Sequence, residues 1–291
     1  MGVFSLNYYL CSISFRHELV SFDKLVHFAH EIGFSGIELW GAHAKALMRY
    51  DPLEVTRSID RMHSKGLNIS MISDYIDLMT ESGRSSNVLE QGGLLLSMAR
   101  LFRTRKIRIF AGNKPSASAS ASEWQRCIAN LRQTAELASE FGMYVVIETH
   151  PNTLADTLES TLRLLTNVGH DHVRINLDFL HLWESGCNPI VAYEQLRDWT
   201  VNYHLKNISD RNRLDVFEPR NVYSPMGGRA GMVGLSKGAI DYSEIMERLE
   251  RDETSEPLAI EWFGDQPLTH LRTELAWLTG LNTGRHANGF Y

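Results

Sequence analysis

Residues 144–178 read YVVIETHPNTLADTLESTLRLLTNVGHDHVRINLD, and this stretch holds the unit from which the fold is inferred. It opens on an apolar β-rich run, Tyr144–Glu148, and closes on another, Arg174–Leu177, with a longer helical pattern between them. The same alternation recurs along the chain, with strands expected at Tyr8–Ser14, Gly36–Trp40, Asn68–Ser73, Lys106–Phe110, Asn202–Lys206 and Leu258–Trp262. The stretches between them are amphipathic. In Phe22–Ile32, for example, Leu25, Phe28, Ala29 and Ile32 recur at helical spacing. Ser21, Asp51-Pro52 and Ser122 are expected to open helices, and Gly33, Gly66 and Gly142 to close them. Strand–helix units repeating about every 35 residues imply parallel strands, and eight of them suffice for a closed (β/α)8 TIM barrel. An open doubly wound sheet is the rival, disfavoured because no glycine-rich phosphate turn follows the first strand.

A chain of 291 residues suits a single α/β barrel, so one domain is expected over 1–291. Hydrophobic residues make up 43% and charged residues 22%, the balance of a globular protein with a large core. A net charge of -6 and the lack of a basic block argue against nucleic acid as a partner. Cys11, Cys127 and Cys187 are too few and too scattered for a disulfide framework or a zinc finger. The apolar stretch Val3–Ile13 lacks a basic flank and a cleavage site, and Leu6 stands where a myristoylation motif needs Ser or Thr. With no apolar run near the roughly 20 residues that span a bilayer, the expectation is a cytoplasmic protein with no membrane partner.

Three segments depart from the repeat. Pro115–Ser122 (PSASASAS) is low in complexity and reads as a mobile surface loop. Asn207–Gly238 is a long connection after the seventh strand, expected to cover a substrate. A polar tail runs over 283–291.

In such a barrel the C-terminal ends of the strands converge on one mouth, where chemistry sits. The last four strands end in VVIETH, INLD, NYHLK and AIEW, and each carries one potential metal ligand: Glu148, Asp178, His204 and Glu261. One buried charge at a strand end is commonly a paired structural group, but four on consecutive strands point to a shared cation. Three carboxylates and an imidazole favour Mn²⁺ or Mg²⁺, with Co²⁺ and Zn²⁺ as alternatives. His150 and Lys206 lie two residues beyond a ligand and so share its face, as base and as acid or electrostatic helper of a proton transfer; the alternatives are a loop cap and an ion pair. His181 follows Asp178 and is read either as catalytic or as a group orienting Asp178. Glu38, Trp40, Tyr75 and Arg108 are candidate substrate-binding residues. Arg108 would clamp a carboxylate, or else pair with Glu38 as a structural couple.

These residues resemble the xylose-isomerase-like barrel superfamily. CSISFRHELVSF, GFSGIELWGAHA, MISDYIDL, ETHPNTLADTLEST, INLDFLHLWESG, HLKNIS and EWFG, in order over residues 8–280, resemble the 3-dehydroshikimate dehydratases of the petrobactin siderophore pathway. The resemblance implies a Mn²⁺-type lyase that takes 3-dehydroshikimate to protocatechuate and water through an enediolate. It implies Glu148, Asp178, His204 and Glu261 as ligands, with Tyr75, Arg108, His150, His181 and Lys206 beside them. Siderophore assembly and aromatic catabolism both remain open as pathways, and a homo-oligomer is compatible. The alternative is a ketose isomerase or epimerase of the same superfamily, which would need neither a carboxylate clamp nor a leaving hydroxyl. An endonuclease IV-like protein would want more histidines and a basic groove, and a non-catalytic binding barrel would have no use for four ligands.

Overall fold

The computed structural model describes residues 5–80 and 85–287. Eight parallel strands close into a barrel: β1 (Tyr8–Cys11), β2 (Gly36–Trp40), β3 (Asn68–Ser73), β4 (Lys106–Ile109), β5 (Tyr144–Glu148), β6 (Val173–Asp178), β7 (Thr200–Leu205) and β10 (Leu258–Ile260). Neighbours follow chain order, and β10 pairs with β1 to complete the ring. A separate antiparallel pair, β8 (Asn207–Ile208) and β9 (Met232–Val233), sits within the long connection after β7. The helices are α1 (Phe22–Ile32), α2 (Gly41–Leu47), α3 (Pro52–Ser64), α4 (Ser85–Leu101), α5 (Ala121–Ser139), α6 (Leu158–Val168), α7 (Phe179–Glu184), α8 (Pro189–Leu196), α9 (Pro219–Val222), α10 (Tyr242–Arg251) and α11 (Pro267–Ala287).

Local chemistry accounts for the boundaries. The Ser21 side chain accepts from the Lys24 N–H to start α1, and Gly33, at φ 92°, ends it in a conformation that costs glycine nothing. Asp51 caps α3 at Leu53, with Pro52 in the first turn. α5 is opened by Ser120 rather than the expected Ser122, because Ser120 and Glu123 exchange side-chain-to-backbone bonds in a capping box. The first strand is also shorter than expected: Ser12–Phe15 turns into a 3-10 helix, which leaves Ser12 and Ser14 free to accept from Trp40 N–H and Trp262 N–H.

Burial sorts the strand residues into two faces. Ile37, Leu39, Ile107, Ile109, Val145, Ile147, Ile175, Leu177 and Leu205 are wholly buried and make up the packed layer of the core. The alternate positions carry Glu38, Ser73, Arg108, Glu148, Asn176, Asp178, Asn202 and His204, all nearly or fully inaccessible. β2 and β7 are not neighbours in the ring, so the contact between Glu38 and His204 crosses the lumen. The barrel interior at this end is polar, and that polarity needs an explanation in function.

The described residues of the segments outside the repeat are tied into the fold. The Ser116 N–H donates to Asp156 and the Trp124 indole donates to the Ser116 carbonyl, so PSASASAS is tied to its surroundings and its last two residues belong to α5. Asn207–Gly238 is likewise no simple loop: besides β8, β9 and α9 it contains 3-10 turns at Arg211–Phe217 and Leu235–Lys237. The backbone of the 283–291 tail is helical to Ala287, and residues 288–291 lie outside the described residues. Among the described residues, no helix is long and apolar enough to cross a membrane.

Candidate metal centre

β6 and β7 pair with Asp178 opposite His204, and β5 ends two residues lower, with Glu148 opposite Asn176. Glu261 follows directly on β10, whose Ala259 pairs with His204. This register brings the four candidate ligands around one nitrogen. His204 Nδ1 lies 3.3 Å from Glu148 Oε1, 3.6 Å from Asp178 Oδ2 and 3.8 Å from Glu261 Oε2. Two atoms bound to one ion at about 2.1 Å, at roughly 90–110° to each other, are separated by about 3.0–3.5 Å. The cluster is near that spacing.

The second oxygens of Asp178 and Glu148 are committed elsewhere, and Lys206 holds the facing oxygen of Glu261 itself. Asp178 Oδ1 caps α7 by accepting from the Leu180 and His181 N–H groups, which turns Oδ2 toward His204. Arg108 Nε holds Glu148 Oε2 at 2.9 Å. Lys206 Nζ bridges Asp178 Oδ2 and Glu261 Oε2 at 2.6 and 2.5 Å, in a dry setting against the rings of Phe217 and Phe263. His204 Nδ1, fully buried, makes no hydrogen bond of good geometry, an orphan that a cation would satisfy. The charges point the same way: Glu38, Glu148, Asp178 and Glu261 are buried against Arg108 and Lys206, and although burial works against it, Glu38, then Glu148 and Glu261, hold the His204 imidazole well above its usual range. A divalent cation taking the place of one His204 proton would leave the cluster balanced. Two buried trios whose ligand atoms lie within 4.8 Å of each other, Cys11–His204–Glu261 and Glu148–Asp178–His181, mark the same place.

These groups hold one another's charge. Burial works against ionised Glu148, yet Arg108 and then His204 keep it well below the usual carboxylate range. Asp178 is also held low, by Lys206 and His181 against the cost of burial. Burial would neutralise Lys206, but Asp178 and Glu261 keep it an ammonium. Burial and Glu38 push the Cys11 thiol up, so it stands in the lumen as a neutral S–H.

Above the cluster lies a cavity of about 80 Å³ lined by Tyr75, Arg108, Phe110, Glu148, His150, His181, Lys206, Phe217, Pro219, Val222, Tyr223, Glu261 and Phe263, with Ile13 at one side. A neighbouring cleft of about 370 Å³ shares Phe110, His150, Phe217 and Pro219 with it and opens outward. A larger cavity, about 400 Å³, opens on the outer wall against α1, α2 and α3 and touches none of the ligand residues. His150 rests between Phe110 and His181, each ring centroid 4.4 Å away. Its Nδ1 is 2.8 Å from the Pro151 carbonyl, which can only accept, so the proton sits on Nδ1 and Nε2 keeps its lone pair. Burial, and after it His181, lowers its pKa to about 3. His181 Nδ1 donates to Glu184 Oε2 at 2.9 Å, and its Nε2 is 3.8 Å from Asp178 Oδ2.

Two residues expected at the substrate are elsewhere. Glu38 is wholly buried beneath His204, 2.9 and 3.0 Å from its Nε2, and has no face on the cavity. The alternative pairing of Arg108 with Glu38 gives way to an Arg108–Glu148 ion pair, since Arg108 sits at the level of Ser73 and Trp40, above Glu38. Trp40 also misses the cavity wall; its ring stacks on Tyr223, which does line it, at 6.3 Å and 18°. The residues the sequence did not single out are mostly aromatic: Phe110, Phe217, Tyr223 and Phe263. The connection after β7 supplies two of them and is fastened over the mouth. Arg16 and His17 bond the Val222 carbonyl, Arg211 bonds the Trp183 and Glu184 carbonyls, and Tyr223 meets the Tyr75 hydroxyl at 2.7 Å.

Residues 26–281 match the model of the xylose isomerase-like TIM barrel family. The 3-dehydroshikimate dehydratase of Bacillus anthracis is 46% identical over 277 residues, 95% of this chain and 98% of that protein. The crystal structure of the probable 3-dehydroshikimate dehydratase AsbF, involved in petrobactin synthesis in Bacillus anthracis, superposes with a TM-score of 0.90 at 47% identity, over 94% of this chain and 98% of that one. The 3-keto-D-glucoside 4-epimerase YcjR of E. coli shares the fold alone, with a TM-score of 0.71 at 19% identity over 95% of this chain and all of that one (100%). A barrel with this polar lumen and this near-complete match belongs to the xylose isomerase-like TIM barrel family, in the branch of the petrobactin-type 3-dehydroshikimate dehydratase.

Proposed function

We infer that this protein is a metal-dependent 3-dehydroshikimate dehydratase, a hydro-lyase that removes water from 3-dehydroshikimate to leave protocatechuate, in the siderophore setting named for its relative. The observation that carries this reading is 46% identity over 95% of the chain to a protein of that activity. The lumen supports it independently: elimination next to a ketone needs a base, a proton donor for the leaving hydroxyl, and help for negative charge developing on the carbonyl oxygen.

Each requirement has a candidate residue. His150, with Nε2 unprotonated, is the base for the C4 proton. Lys206, an ammonium with two acidic partners, is the donor to the departing C5 hydroxyl, and His181, packed at a tilt against His150, is the alternative donor. Arg108 Nη1 is buried without a hydrogen-bond partner and borders the cavity, which suits the substrate carboxylate; Tyr75 lies under the guanidinium and completes that end. Glu148, Asp178, His204 and Glu261 would hold the cation, of which Mn²⁺ is favoured by three oxygen donors, with Mg²⁺, Co²⁺ and Zn²⁺ as alternatives. When bound, the ion supplies Lewis-acid stabilisation of an oxyanion without a proton.

The cavity of about 80 Å³ is well below the roughly 300–1,000 Å³ of ordinary ligand sites, so the segment carrying Phe217, Pro219 and Tyr223 must shift for a six-membered ring to enter. Mn²⁺-loaded protein incubated with 3-dehydroshikimate is expected to develop protocatechuate absorbance. Conversion of a ketose with no dehydration would replace this reading with the isomerase one.

A further inference from the structure

We propose that Glu38 is the positioning residue of the metal centre: its carboxylate keeps the His204 proton on Nε2, and so presents Nδ1 unprotonated to a divalent cation among Glu148, Asp178 and Glu261. The proposal rests on the metal-enzyme reading above and extends it to a residue across the lumen from the ligands.

The geometry around Glu38 is one-sided. His204 Nε2 lies 3.0 and 2.9 Å from its two oxygens. The Ser73 hydroxyl donates to Oε1 at 2.5 Å, the Asn202 amide to Oε2 at 3.3 Å, and the Cys11 thiol to Oε1 at 3.7 Å. Each of these neighbours is a donor, so the carboxylate is surrounded as an acceptor and its orientation is fixed from three other strands. Asn202 is itself fixed, since the same amide also donates to Asn176 Oδ1 at 2.9 Å. Both Glu38 oxygens lie within hydrogen-bond reach of Nε2, whereas the carboxylate oxygens around Nδ1 stand at 3.3–3.8 Å and none makes a hydrogen bond with it, so a neutral ring carries its N–H on Nε2.

The consequence falls on the other nitrogen. A neutral imidazole protonated at Nε2 has its lone pair on Nδ1, and Nδ1 is the atom that faces the three ligand oxygens. The opposite tautomer would aim an N–H at the cation and set the Nε2 lone pair against the buried Glu38 carboxylate. A carboxylate bonded to the far nitrogen also makes the imidazole a stronger ligand, and removing such a partner commonly costs about 10–100-fold in metal affinity. Glu38 therefore serves the ion without touching it or the substrate.

The test is a titration of metal-free wild-type and Glu38→Gln protein with Mn²⁺, followed by electron paramagnetic resonance of the free ion. Thermal melting of both metal-free proteins runs beside it. The expected result is affinity about 10–100-fold weaker in Glu38→Gln, with part recovered in Glu38→Asp and a folded metal-free state in each. Equal affinity in wild type and Glu38→Gln overturns the proposal. A measurement on wild type alone covers a variant that does not fold: nitrogen NMR of histidine-labelled, Zn²⁺-loaded protein. There Nε2 of His204 is expected to carry the proton and Nδ1 to shift on metal binding; the reverse tautomer overturns the proposal. Wild-type protein that takes up neither Mn²⁺ nor Zn²⁺ overturns the metal reading itself, which separates the two failures.

Discussion

Strands β5, β6 and β7 and the residue just past β10 carry the four residues that converge on one gap, whereas β2 and β4 carry Glu38 and Arg108, which grip two of them, and β3 carries Ser73, which holds Glu38. The ligand half supplies charge that only a cation can balance, and the supporting half decides where each lone pair points. A carboxylate has two oxygens and an imidazole two nitrogens, so a ligand is aimed when its second atom is occupied. Arg108 does this for Glu148, the N-terminus of α7 for Asp178 and Glu38 for His204, while Lys206 holds Glu261 by the oxygen that faces His204. Each ligand thus has its own partner, and two of the partners, Arg108 and Glu38, sit on other strands.

If the division is right, changes in the ligand half should be the most severe. Glu148→Ala is expected to abolish both ion uptake and turnover, and to lower stability by about 3–5 kcal/mol because Arg108 is left buried and unpaired. Metal analysis with thermal melting checks it, and a variant that still binds the ion stoichiometrically would break the comparison. His150 belongs to neither half. His150→Ala should retain the ion yet lose about 10²–10⁴-fold in kcat, since only the base is gone. Near wild-type turnover in that variant would remove His150 from the mechanism. At the lid, Tyr223→Phe deletes the bond to the Tyr75 hydroxyl. A single hydrogen bond of about 1 kcal/mol corresponds to roughly a fivefold change, expected in KM with kcat nearly unchanged. The smallest effect belongs outside the mouth: Ser120→Ala should cost about 1 kcal/mol of stability through the α5 cap and leave kinetics untouched.

The same division explains what could be read from the chain. Period and punctuation reveal the barrel, and a charged residue closing an apolar run stands out, so Glu148, Asp178, His204 and Glu261 are visible as candidates in sequence. Their partners are not. Glu38 lies on a strand adjacent in neither sequence nor sheet to that of His204, and no spacing rule links residues that meet across a lumen; Arg108 holds Glu148 from the neighbouring strand, but the sequence does not say which acid its guanidinium turns to. The sequence therefore leaves Arg108 between a substrate carboxylate and Glu38, and sets Glu38 at the substrate, without showing that Arg108 meets Glu148 and Glu38 meets His204. Ser120 lost to Ser122 for a local reason: in a run of alternating serines only the one three residues before Glu123 can form the reciprocal cap. The cavity aromatics Phe217 and Tyr223 lie in a connection without periodicity, where length hints at covering but nothing indicates which ring turns inward.

The central claim is that one buried divalent ion, held by the ligand half, drives dehydration of 3-dehydroshikimate. It is tested most directly by titrating chelator-stripped protein with Mn²⁺ while measuring bound ion and protocatechuate formation on the same samples. The account predicts that activity is absent from the stripped protein and rises in proportion to occupancy, up to a single ion per chain. Full activity in stripped protein, or occupancy without any protocatechuate, would contradict it.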